Sequence, residues 1–198
     1  MSRPNWFLAL PLPAEVAPAW LAAAAAAPPE LRRFHPDDLH LTLAFLGPCE
    51  EGPARAAWQA LHGLVHPPIS IRAGGWRALG APAAPSAYGL TLAEGHEALC
   101  GLLRDWGAKA LAAAGCRPER RSPLPHLTLL RPSRRQAADL REPMAAWMAS
   151  APLPQQPALL SQLALYTWAD DRRQRLFRIV CSRTLASPTA AESPTWSQ

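Results

Sequence analysis

A chain of 198 residues with 49% hydrophobic content has enough apolar surface for one domain, or for two small lobes around a cleft, and can fold alone. Its net charge is +5, and Lys109 is the only lysine among twenty basic residues, so bidentate arginine forks suit a phosphorylated or nucleic-acid partner, although a composition rich in Ala, Pro and Arg yields the same bias by itself. Cys49, Cys100, Cys116 and Cys181 include no C-x-x-C pair, which excludes a zinc ribbon or a thioredoxin-type motif and predicts free thiols in a reducing compartment.

Asn5 to Leu12 predicts a first strand, and Ala14 to Ala27 a helix stopped by Pro28-Pro29. Pro11, Pro13, Glu15 and Pro18 interrupt the apolar N-terminal stretch, and no run reaches the ~18–20 residues of a membrane span. A cytoplasmic protein with no membrane partner is therefore expected. After the polar turn Asp37-Asp38, Leu39 to Leu46 alternates His, Thr and Ala with Leu, Leu and Phe, a strand with a polar front and an apolar back. Glu51 to Leu64 has helical apolar spacing. Ile69 to Ala73 and Ala87 to Ala93 read as short strands around a Gly/Pro-rich hairpin from Gly74 to Pro85. Gly95 to Ala114 is the longest predicted helix. The basic loop CRPERRSPLP follows, then a strand from Pro125 to Leu130, a helix from Ser133 to Met148, and a closing strand pair over Leu159 to Thr167 and Arg175 to Cys181. Residues 1–185 thus form one domain. From Ala186 onward periodicity is lost, which predicts a disordered tail over 186–198.

Within this order one tetrapeptide occurs twice: His40-Leu41-Thr42-Leu43 returns as His126-Leu127-Thr128-Leu129. Six His and seven Thr in the whole chain leave well under one His-x-Thr to chance. Each copy sits on a strand that follows a polar or Pro-rich loop and precedes a helix, so the chain carries a degenerate repeat whose half-units each give one strand to a shared centre. The predicted fold class is α+β with two antiparallel sheets and flanking helices.

Side chains alternate along a strand, so His40 and Thr42 share one face while Leu41 and Leu43 anchor the other, and the second copy does the same. Folding explains the leucines. It does not explain a paired polar face, which is costly to bury without a use. Two imidazoles can divide general-base and general-acid work near neutral pH, and two Thr hydroxyls can donate to the non-bridging oxygens of a phosphodiester. That chemistry needs no metal and no cofactor. His62 and His66 would bind a metal only as an i, i+4 pair on a helix, but Pro67 follows and no third ligand is evident.

HLTLAFLG and PHLTLLR resemble the paired H-x-T-x motifs of the two-histidine phosphoesterase superfamily. The flanks WFLALPLPAEV, FHPDDLHLTLAFLG, RPERRSPLPHLTLLRP and LALYTWADDRRQRLFRIV are similar to its RNA 2′,3′-cyclic phosphodiesterase branch, once called 2′-5′ RNA ligases. The resemblance implies a two-lobed fold with pseudo-twofold symmetry around a central cleft, and hydrolysis of RNA 2′,3′-cyclic phosphate ends, or of cyclic nucleotides, to a 2′-phosphate. It implies His40 as proton donor, His126 as proton acceptor, Thr42 and Thr128 on the phosphate oxygens, and Arg131 as added charge. Because the two motifs are near-identical, the residues alone leave open which His is acid. The chain departs from the family pattern near Tyr166, where Thr167-Trp168 and Arg173-Gln174 stand in place of a small Ser and a Gly. A monomer is expected, with the Arg clusters at 117–121 and 172–178 flanking the cleft. A binding module of the same fold without turnover and 2′-5′ end joining by the reverse reaction are the alternative functions.

Overall fold

The computed structural model describes residues 3–133 and 135–186. In chain order the elements are β1 (Asn5–Pro11), α1 (Ala17–Ala22), β2 (Arg32–Arg33), a 3₁₀ turn (Pro36–Asp38), β3 (His40–Pro48), α2 (Glu51–Ala60), β4 (Ile69–Ala81) and β5 (Ala84–Glu94). A single helical run follows, made of α3 (His96–Leu102), a π turn (Leu103–Gly107) and α4 (Ala108–Ala113). The chain then continues through β6 (His126–Arg131), α5 (Arg141–Ser150), β7 (Ala158–Leu160), β8 (Gln162–Trp168) and β9 (Phe177–Thr184). All but one residue of the expected tail lies outside the described residues.

The α+β class holds, but the strands form one continuous antiparallel path, not two sheets. Its order is β7-β4-β5-β6-β3-β1-β8-β9, with short β2 added beside β6. The two motif strands stand at the middle of this path, four strands to each half. They meet at one bridge, Leu41 opposite Leu127, so the repeat is realised as a local twofold between the copies.

Two expected helices are shorter than their periodicity, for the same reason. Proline has no N–H to donate and fits only the first helical turn. Pro18 accordingly sits at the start of α1, and Pro143 in the first turn of α5, leaving residues 135–140 as turns. The opposite correction applies to the expected hairpin loop from Gly74 to Pro85. Both strands run through it, with register shifts at Gly75 and Gly80, because Gly and Pro are tolerated where a bulge relaxes the ladder. His62 lies in the turn after α2, so it shares no helix with His66.

One face of the sheet is the main core. Trp6, Leu8 and Leu10 of β1, Leu41 and Leu43 of β3, and Leu127 and Leu129 of β6 pack there with Ala54, Ala57, Leu99, Leu102 and Trp106 from the helices. Gly107 marks how closely the helical run approaches, since a Cβ there would stand 2.8 Å from the Leu43 carbonyl oxygen. Truncating a leucine such as Leu127, which is fully buried, would cost roughly 2–5 kcal/mol. The opposite face has a smaller cluster of Phe7, Ala9, Ala164 and Tyr166, packed by Phe177. This second face carries the histidines. No helix among the described residues is long and apolar enough to cross a membrane.

Candidate active site

The burial of β3 and β6 begins identically: His and Thr half-buried, with the alternate leucines fully buried. Continuing the antiparallel register by one residue on each side of the Leu41–Leu127 bridge places His40 across from Thr128 and Thr42 across from His126. Directly opposed Cβ atoms stand about 5 Å apart and diagonal ones about 7–8 Å, so the four side chains frame a space the size of a phosphate group.

Each imidazole is oriented in the same way. Nδ1 of His40 lies 2.7 Å from the Asp38 carbonyl oxygen, and Nδ1 of His126 lies 2.7 Å from that of Leu124. A carbonyl only accepts, so each Nδ1 carries the hydrogen and each Nε2 is left for a ligand.

The two rings differ in their surroundings. His40 stacks on Phe7 at 4.7 Å between centroids, with Tyr166 at 5.3 Å and Phe177 edge-on at 5.6 Å. Its pKa is lowered to about 4, mainly by burial, against the opposing pull of the Asp38 carbonyl, with smaller effects from the His126 and Arg131 charges. Burial also lowers the His126 pKa, opposed by the Leu124 carbonyl and assisted by Arg77 and Arg121. Without a ligand both rings are therefore neutral at pH 7. An anion between them favours protonation, and the aromatic faces around His40 suit a cationic ring.

Arg131 ends β6 with its guanidinium 5.6 Å from the Phe34 ring centroid, near enough for its charge to act on His40. In the 117–121 loop, Arg121 is held by Glu119 through Nε at 3.0 Å and Nη2 at 2.7 Å, and its charge reaches His126. Within the 172–178 cluster, Arg175 pairs with Asp37 at 3.3 Å, and Arg178 with Asp170 at 3.7 Å.

Four positions with no role assigned from the linear sequence join the site. Buried Asp38 accepts the backbone amides of Leu176 at 2.6 Å and Phe177 at 3.0 Å, tying the β8–β9 loop to the peptide that orients His40. Gly89 stands opposite Thr128 and Arg77 opposite Gly89, so one row across three strands reads Arg77, Gly89, Thr128 on the histidine face. Strand alternation would have placed Arg77 there had residues 74–81 been read as a strand. The Tyr166 hydroxyl is buried without a hydrogen-bond partner, and burial pushes its pKa up, so the ring serves as an apolar wall beside His40.

No family model and no curated relative matches the chain. Solved structures match along nearly all of it. Escherichia coli LigT complexed with 3′-AMP superposes with a TM-score of 0.72 at 24% identity, over 93% of this chain and 100% of LigT. A phosphoesterase gives 0.71 at 23% identity, over 93% and 99%. A Thermus thermophilus protein gives 0.67 at 20%, over 91% and 97%. E. coli LigT is also known in complex with NADP+, with ATP and with phosphate. With that coverage, and with the paired motif strands at the middle of its sheet, this chain has the fold of LigT.

Proposed function

We propose that the protein hydrolyses RNA 2′,3′-cyclic phosphate ends to 2′-phosphates by a two-histidine acid/base mechanism. The observation that carries this reading is the pair of imidazoles, each fixed through Nδ1 to a carbonyl two residues upstream and each set across from the Thr of the other motif strand. His126 takes a proton from water as the water oxygen bonds to phosphorus. The bond from phosphorus to the 3′ oxygen breaks, and His40 gives that oxygen its proton. The phosphate stays on the 2′ oxygen. Thr42 and Thr128 donate to the non-bridging oxygens, while Arg77 offsets the developing charge. His40 begins with a depressed pKa, so substrate binding must supply its proton affinity, and the phosphodiester anion does so.

The nucleotides bound by LigT support this choice of substrate class: 3′-AMP carries a phosphate on the ribose, and NADP+ one on a ribose 2′ position. The test is incubation with an oligoribonucleotide bearing a 2′,3′-cyclic phosphate, followed by assignment of the product phosphate. A 2′-phosphate is expected. Substrate bound and returned unchanged would make the protein a binding module. A 2′-5′ linkage formed with a 5′-hydroxyl RNA would make end joining its reaction.

A further inference from the structure

Beside the histidines lies a cationic cluster that folding does not explain. Strand β2 sets Arg32 directly across from Arg131. Nη2 of Arg32 donates to the Arg172 carbonyl oxygen at 2.7 Å, drawing the 169–176 loop against this strand pair. The Arg172 guanidinium lies 4.3 Å from the Trp168 ring centroid. Among the described residues none of the three guanidiniums has a carboxylate partner, although eight ion pairs form elsewhere. Like charges directly opposed on adjacent strands are destabilising. An anion reverses the sign of that arrangement, because guanidinium forks bind phosphate oxygens in pairs.

The position indicates which anion. A register shift between Thr128 and Leu130 sends both Leu129 and Leu130 into the main core and returns Arg131 to the histidine face, three residues and about 10 Å beyond Thr128 on the same strand, which is one nucleoside away from a phosphate held by the His and Thr side chains. We propose that Arg32, Arg131 and Arg172 form a second phosphate site, which takes the 5′-phosphate of the terminal nucleoside and so selects nucleotides that continue a chain over an isolated nucleoside cyclic phosphate. This rests on the reading that the histidine pair holds the phosphate of the terminal ribose. Consistent with one cluster, the charges of Arg32 and Arg172 both depress the pKa of Arg131, after burial.

The test compares the Kd of adenosine 2′-phosphate with that of adenosine 2′,5′-bisphosphate. The bisphosphate should bind roughly tenfold tighter or more, as expected for charge-assisted bonds to one phosphate. R32A and R172A should each reduce that ratio, and the double variant should bring it close to one. R55A removes the same unit of charge from α2, on the other side of the sheet, and should keep the wild-type ratio. A wild-type ratio near one, a ratio unchanged in R32A and R172A, or an equal fall in R55A would overturn the proposal. If the cyclic phosphate is not turned over but the Arg-dependent ratio stands, the proposed reaction falls and the second site survives. If adenosine 2′-phosphate does not bind, 5′-AMP tests the cluster alone: binding lost in R32A and R172A upholds it, and binding indifferent to them overturns it.

Discussion

The backbone carbonyl of Asp38 holds Nδ1 of His40 at 2.7 Å while the side chain of the same Asp38 accepts two amides of the β8–β9 loop. One residue thus fixes both the tautomer of a proposed proton donor and the aromatic loop against which that donor rests. Asp38→Ala leaves the Leu176 and Phe177 amides without their acceptor, at a cost of about 1–3 kcal/mol each if no water replaces it. Activity should fall on the order of 10²-fold through kcat, because a small displacement of a catalytic group is costly. Steady-state kinetics read beside the thermal midpoint will show it. A stability loss with unchanged kcat would limit Asp38 to folding.

Both histidines have folded-state pKa values below the unfolded value, so the unfolded chain takes protons more readily. Stability should be complete above pH 6.5 and fall as the pH drops from there toward about 4, the lowered value of His40. Inorganic phosphate raises both pKa values in the folded state and should protect more at pH 5.5 than at pH 8. Thermal midpoints across pH 4–8, with and without phosphate, measure this. His40→Phe should flatten the acid side of the profile.

If the two imidazoles act as one unit, kcat/KM will be bell-shaped in pH, and His40→Ala or His126→Ala alone will each lose on the order of 10²–10⁴-fold. The double variant should lose far less than the product of the two. A substrate with a very good leaving group should restore His40→Ala and not His126→Ala. The reverse rescue would exchange their roles.

Gly89 is required by distance. A Cβ there would overlap the Leu127 carbonyl oxygen, and it would lie 2.9 Å from the carbonyl carbon and 3.2 Å from Cα of Thr128. All are backbone atoms of a motif strand and cannot swing aside. Gly89→Ala should cost roughly 1–3 kcal/mol and should weaken phosphate binding by displacing Thr128. Denaturant midpoints and phosphate titration will separate the two effects.

Acid/base chemistry by two imidazoles requires no divalent ion, so activity should survive prolonged treatment with EDTA. Complete loss that is restored by one added metal would replace this mechanism with metal-assisted hydrolysis.

Strand alternation in two short segments was enough to locate His40, Thr42, His126 and Thr128 on polar fronts with leucine backs, because a period of two is a local property of the backbone. The pairing of those strands depends on chain closure over many residues. Only the tertiary structure decides that they adjoin through Leu41 and Leu127, and that the sheet is continuous. Local propensity also fails where partners override it: Gly74, Gly75, Gly80 and Pro85 look like a loop, yet β4 and β5 satisfy one another's hydrogen bonds through them. Arg77 and Gly89 belong to the site only because of that pairing. Asp38 reaches Leu176 and Phe177 across the fold, and Arg32 meets Arg131 and Arg172 from three separate segments. Composition revealed that the chain is rich in arginine. Which of those arginines lack a carboxylate partner among the described residues is set by long-range contacts, whose energy depends on distance in space and not along the chain.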